Sequence, residues 1–204
     1  MTDRPGEHPE PHADLDARKP LIQVFPAGTK IFRTHGRLRP PLFFGRSGNN
    51  RFDSPDGEFG VLYAGMDEHC AFIETFGQDT GVHAVSGAML TERPLAEIEL
   101  LKPLTLIDLK TTGGLARIGA DVRLLGGPHR IAQRWSQALH NHPIQPDGIL
   151  YPARHDPARN ACAIFEQDAE GFRPIPRGSL MDATNRKLLA AILDCYQFGL
   201  ILDE

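Results

Sequence analysis

Residues 51–77 read RFDSPDGEFGVLYAGMDEHCAFIETFG. Phe59–Ala64 (FGVLYA) is a short apolar run bounded by turn residues, the pattern of a buried strand. Asp67 follows where an N-cap accepts a free amide of the first helical turn. The apolar run Cys70–Ile73 with Phe76 supplies a helix face, and Gly77 is placed to end it. This strand passes directly into a helix, and the other strands and helices interleave without repeating βαβ units. The class is therefore mixed α+β. Glu74 lies inside the helix, flanked by Phe72, Ile73 and Phe76. An isolated buried charge is costly, so this carboxylate either sits on a solvated helix face or is aimed into a cleft.

Working outward, Leu104–Leu109, Asp147–Tyr151 and Ala161–Phe165 read as further strands, the last two around the turn-rich segment PARHDPARN. Pro128 opens an amphipathic helix with Ile131, Trp135, Ala138 and Leu139 on one face. A last helix is expected over Asn185–Tyr196, with Leu188, Leu189, Ile192, Leu193 and Tyr196 on one side. Upstream, Leu21–Phe25 and Thr29–Arg33 read as strands split by Pro26-Ala27-Gly28. Residues 34–60 hold five glycines and three prolines with little apolar periodicity. A loop of that length inside a compact domain is usually functional. Residues 1–19 are polar and proline-rich and are expected to form a disordered tail, leaving 20–204 as one domain.

The 204 residues carry 22 basic and 26 acidic side chains, a net charge of −4, which argues against a generically basic nucleic-acid coat protein. No apolar run has the length of a membrane span and no secretory signal opens the chain, so no membrane partner and a cytoplasmic location are expected. Cys70, Cys162 and Cys195 are scattered singles without a CxxC, so neither a disulfide framework nor a zinc ribbon is expected. His129, His140 and His142 lack Cys or carboxylate partners at ligand spacing, and His8 and His12 read as solvated tail residues; no metal is expected. Neither G-x-G-x-x-G nor G-x-S-x-G occurs. The charge is unevenly spread. From Lys30 to Phe52 the chain carries Lys30, Arg33, Arg37, Arg39, Arg46 and Arg51 and no acid. Guanidinium forks bind phosphate bidentately, which makes Arg33 and Arg51 candidates for an anionic ligand, while Arg37 and Arg39, beside Pro40-Pro41, read as surface or partner-facing residues.

In order, the chain presents Arg33, Arg51 before Phe52, a glycine-containing loop leading to Leu62-Tyr63-Ala64, and Glu74 in Ala71-Phe72-Ile73-Glu74, eleven residues after Tyr63. This order resembles the RES domain family, named for an Arg, a Glu and a Ser. The downstream segment DGILYPARHDPARNACAIF resembles the family's D-G-I-x-Y-x-S-R stretch before an apolar strand. The two segments span most of residues 30–165. The resemblance implies an ADP-ribosyltransferase-like fold, a single domain with small mixed or antiparallel sheets flanked by helices. It implies NAD+ as substrate, consumed by hydrolysis or phosphorolysis of the nicotinamide–ribose bond, in the toxin of a toxin–antitoxin pair. An Xre-like antitoxin would then be the partner that covers the active site.

The residue types suit that chemistry. Cleaving an N-glycosidic bond passes through an oxocarbenium-like state, which a carboxylate such as Glu74 stabilises. Arg33 and Arg51 would hold the pyrophosphate, and Tyr63 would stack on the cationic nicotinamide. The expected catalytic set is Glu74, Arg51 and Tyr63; the expected binding set is Arg33, Arg51 and Tyr63. One position departs from the family: Ala153 stands where the Ser of Tyr-x-Ser-Arg is expected. Two alternatives therefore stay open, a protein ADP-ribosyltransferase using the same site and a catalytically silent NAD- or partner-binding module. Ser47, Ser54, Ser86 and Ser179 are the serines whose hydroxyls would have to substitute.

Overall fold

The segment that decides the fold forms a strand, Val61–Gly65, and a helix, Glu68–Phe76. The Asp67 carboxylate caps the helix by accepting the Cys70 amide at 2.7 Å. Gly77 ends it without the left-handed turn expected of a C-terminal glycine; its φ is −87°. The glycine is needed for space instead, since a Cβ there would lie 2.6 Å from the Ile73 carbonyl oxygen.

The computed structural model describes residues 10–202. The chain runs through β1 (Ile22–Phe25), β2 (Lys30–Thr34), β3 (Val61–Gly65), α1 (Glu68–Phe76), β4 (Ala84–Ser86), α2 (Gly87–Glu92), β5 (Leu95–Leu100) and β6 (Leu104–Asp108). It continues through α3 (Gly114–Ile118), α4 (Arg123–Gly126), α5 (His129–His140), β7 (Gly148–Pro152), β8 (Asn160–Phe165), β9 (Phe172–Gly178), α6 (Arg186–Tyr196) and β10 (Gly199–Ile201). The α+β architecture is as expected, but the main sheet is large rather than small. Eight of the strands join in one large mixed sheet of order β1-β6-β7-β8-β3-β2-β5-β9, and β4 and β10 pair separately. Within the large sheet only β6 and β7 run parallel.

The sheet has to curl. β5 and β6 are five positions apart in it, yet only Leu101, Lys102 and Pro103 connect them. Laid flat, five strand spacings would separate them by about 24 Å. A chain from Leu100 to Leu104 reaches at most about 14 Å. Both leucines accordingly fall in one apolar cluster with Ile31, Leu62, Ile98, Leu106, Leu150 and Ile164. Strand alternation places the other set, Val61, Ile107, Ile149, Ala163 and Phe165, against Ile131, Trp135 and Leu139 of α5. A third cluster joins Phe72, Ile73 and Phe76 of α1 to Leu90 of α2 and to Leu189 and Ile192 of α6.

Beside the separate pair β4 and β10, two strands of the large sheet escape the sequence reading for physical reasons. In β5 (LAEIEL) Glu97 is only 4% exposed, which hides the strand behind a charge. Lys30 and Arg177 from the flanking strands approach its carboxylate at 2.6 and 2.7 Å. β9 (FRPIPRG) contains Pro174 and Pro176, tolerated because it is an edge strand. Bonding to Lys30, reinforced by Arg177, holds the Glu97 carboxyl below its ordinary value of 4.5 against the opposing effect of burial. A lowered folded value stabilises the protein above the unfolded value, and the gain is lost as pH falls through the folded one. Glu97→Gln is expected to unfold at lower urea concentration than wild type at about pH 7, with the gap closing below about pH 4. An equal gap at both pH values would contradict it.

The expected disordered tail does not hold for residues 10–19; residues 1–9, His8 among them, lie outside the described residues. Leu15 is 3% exposed in the cluster beneath α5, and its carbonyl bonds to the His142 ring at 3.1 Å. Glu10 pairs with Arg134. A single leucine in a polar stretch carries no periodicity, so the pocket that receives it is visible only in three dimensions. Among the described residues no helix is long and apolar enough to cross a membrane.

Candidate active-site cleft

The middle strands β7-β8-β3-β2 carry the floor of a cleft of about 380 Å³. α1 passes close over it because Gly65 has no side chain: a Cβ there would meet Cys70 Cβ at 2.7 Å and the Ala71 nitrogen at 2.8 Å. Small residues, Ala64, Gly65, Ala71 and Ala161, leave room for a ligand. The structure brings all four residues singled out from sequence, Arg33, Arg51, Tyr63 and Glu74, to the walls of this one cleft.

Glu74 reaches the segment that follows β7. One carboxylate oxygen, Oε1, accepts the Arg154 amide at 2.8 Å and the His155 amide at 3.4 Å. Two backbone donors therefore fix the carboxylate, and Oε2 is left without a protein donor among the described residues. Glu74 is half-buried at the cleft rather than on a solvated helix face. Behind it, Thr75 and Thr34 hydroxyls meet at 2.6 Å and tie α1 to β2. Arg159 bonds Asp67, the cap of α1, at 2.7 Å and Asp156 at 3.0 Å, locking the same segment to the helix. Burial lowers the His155 pKa, against the pull of Glu74, and its buried Nε2 has no partner.

Tyr63 holds the long loop. Its hydroxyl donates to Asp53 at 3.0 Å and accepts the Phe52 amide at 2.9 Å. Burial and the Asp53 charge push its pKa well up, so it stays a neutral phenol whose ring borders the cleft. Asp53 was not read from sequence as a functional residue. It is fully buried and also accepts the Ser47 hydroxyl, the Asn50 amide and the Asn50 side chain at 3.0–3.3 Å. One stripe of α5 completes the loop's support. His129 meets the Asn49 carbonyl at 2.9 Å, Gln133 donates to Gly48 and Asn50 at 2.7 and 3.0 Å, and Ser136 donates to Phe52 at 2.6 Å. Polar residues at this spacing on a helix are the signal a sequence reading would need. The three histidines weighed as metal ligands do other things. His129 carries the loop, His140 stacks on Phe59 and His142 bonds Leu15.

Arg51 projects from that loop, its guanidinium donating to the Gly127 carbonyl at 2.8 Å. Arg33 donates to the Phe43 carbonyl at 3.2 Å while its buried Nε has no partner. Burial, with the neighbouring Arg39 charge, drives the Arg33 pKa down to about 10. Burial and Arg154 lower that of Arg51, while Tyr151, Tyr63 and Glu74 oppose them. Arg39, Arg93 and Arg154 also line the cleft, and all three are exposed, Arg39 as expected of a surface residue. None of these five arginines has a carboxylate partner among the described residues, whereas Arg37, Arg46, Arg159, Arg173 and Arg177 all do. Five arginines and one carboxylate line the cleft, which makes it cationic and suited to an anion.

Tyr151 is a cleft residue the sequence reading passed over. Its ring packs 4.9 Å from Phe52, and burial with the Glu74 charge pushes its pKa well up. Ala153 is 1% exposed and packs in the apolar cluster beneath α5, not among the cleft-lining residues. None of the four serines substitutes. Ser47 and Ser54 bond within the loop, Ser86 caps α2, and Ser179 donates to Leu90.

The family model described as the RES domain matches residues 30–184. A Sinorhizobium fredii (strain NBRC 101917 / NGR234) protein named "Probable toxin y4kH" is 32% identical over 122 residues, covering 59% of this chain and 93% of its own. The fold matches a chain in the crystal structure of the M. tuberculosis MbcT-MbcA toxin-antitoxin complex with a TM-score of 0.56, at 16% identity, over 86% of this chain and 94% of that one.

Proposed function

This chain belongs to the RES domain family, and from that premise we propose that it consumes NAD+ by breaking the nicotinamide–ribose bond, as the toxin of a toxin–antitoxin pair. The observation that carries the reading is one cleft lined by a single anchored carboxylate, Glu74, and by five arginines without a carboxylate partner among the described residues. Arg33 and Arg51 take the pyrophosphate, each as a charge-assisted donor. The Tyr63 ring receives the nicotinamide, whose positive charge suits an aromatic face. The free oxygen of Glu74 faces the ribose, where it stabilises the positive charge that develops as nicotinamide leaves. Because Oε1 is already held by two amides, the carboxylate needs no reorientation at that moment. The position of Ala153 in the apolar cluster supports an active site assembled without a hydroxyl there. The relative named as a toxin and the fold shared with a chain of a toxin–antitoxin complex support the biological role. The partner in this reading is an Xre-like antitoxin encoded alongside.

The test is to incubate the purified chain with NAD+ and follow nicotinamide release with and without orthophosphate. NAD+ loss with stoichiometric nicotinamide is expected. Dependence on phosphate identifies phosphorolysis, independence identifies hydrolysis, and transfer of label to protein identifies an ADP-ribosyltransferase. Intact NAD+ and intact NADP+ after prolonged incubation overturn the reading. Induced expression should arrest growth, and co-expression of the neighbouring reading frame should relieve the arrest.

A further inference from the structure

We propose that Arg39 and Arg93, beside Arg33, form a subsite for a phosphate dianion outside the pyrophosphate, and that the dinucleotide this protein prefers carries it as a 2′-phosphate on the adenosine ribose. The proposal rests on the NAD+-type reading above and names its substrate class. The pyrophosphate's two charges are matched by Arg33 and Arg51, and Arg154 belongs to the loop bonded to Glu74. Arg39 and Arg93 remain.

They are held together by construction. The segments following β2 and preceding β5 are joined by two backbone bonds, His35 to Pro94 at 3.1 Å and Arg37 to Glu92 at 2.9 Å. On these segments Arg37 and Glu92 pair with each other, whereas Arg39 and Arg93 line the cleft without an acid. One residue positions two of the cations. The Phe43 ring lies under Arg39, with the guanidinium carbon 5.0 Å from its centroid, and the Phe43 carbonyl receives Arg33 at 3.2 Å. The Arg33 and Arg39 charges oppose each other, a repulsion that a bound dianion relieves. A free orthophosphate acting as acceptor would belong beside Glu74, at the reacting ribose. A phosphate at Arg39 and Arg93 has to be carried on the ligand.

The experiment measures binding of adenosine 2′,5′-bisphosphate and of AMP to the full chain, then KM for NADP+ and NAD+ in phosphate-free buffer. The bisphosphate is expected to bind at least about tenfold tighter than AMP, and NADP+ to show a correspondingly lower KM. Arg39→Gln and Arg93→Gln should each bring both ratios towards one, while Arg39→Lys retains part of the preference. Equal affinities in the wild type, or ratios unmoved by either glutamine variant, overturn the subsite. So does a glutamine defect seen only as loss of an orthophosphate-dependent rate. If neither dinucleotide is consumed, the catalytic reading fails, while the bisphosphate ratio still decides the subsite.

Discussion

Glu74→Gln is expected to lower NAD+ consumption by about two to three orders of magnitude while the protein unfolds within a few degrees of wild type. The two consequences separate because the carboxylate does two jobs with two oxygens. Oε1 accepts the Arg154 and His155 amides, and a glutamine carbonyl can accept the same two donors. What the amide lacks is the negative charge that stabilises the oxocarbenium-like state. Glu74→Ala loses both functions, so it should show at least the same rate defect and a lower melting temperature, since two amides of the segment lose their acceptor. The measurement is nicotinamide release alongside a thermal melt for each variant. A folded Glu74→Gln protein with full turnover would remove Glu74 from the chemistry.

The second large effect falls on a residue that touches no ligand. Asp53→Ala should destabilise the protein by about 3 kcal/mol, because it strands the buried Tyr63 hydroxyl and removes the acceptor that ties the Ser47 hydroxyl and the Asn50 donors into the loop. For a chain of this size that corresponds to a fall of roughly 6–12 °C in melting temperature. Activity should fall as well, through Arg51 on the loop that Asp53 organises and through Tyr63 of β3, whose hydroxyl donates to Asp53. The expected signature is a raised KM with a smaller change in kcat, as befits a positioning residue. Wild-type stability in a folded Asp53→Ala protein would show that the loop is held by α5 alone.

The strand–helix pair was legible because its determinants are local. Apolar content sets Val61–Gly65, and Asp67 bonds three residues ahead to Cys70. The eleven-residue interval from Tyr63 to Glu74 follows from those same two elements, which is why the family order could be read in the primary structure. β5 and β9 were hidden by Glu97 and by Pro174 and Pro176, residues that oppose strand formation until ion pairs or an edge position accommodate them. Asp53 was hidden for a related reason, since nothing in its neighbours along the chain marks a carboxylate for complete burial.

The sequence by itself determined the α+β class, the order of Arg33, Arg51, Tyr63 and Glu74, and the cationic island from Lys30 to Phe52. Tertiary structure decided which of those charges share a cleft. It added Arg93 and Arg154 from outside the island and sent Arg37 to Glu92 and Arg46 to Glu166. It also turned Glu74 from a helix-face carboxylate into one anchored by amides eighty residues away. Caps and strand runs are short-range, governed by backbone geometry over a few residues. Whether a charge is paired or left uncompensated depends on what the curled sheet brings within a few ångströms, and for this cleft those partners come from β2, β3, α1, β7 and the loops between them.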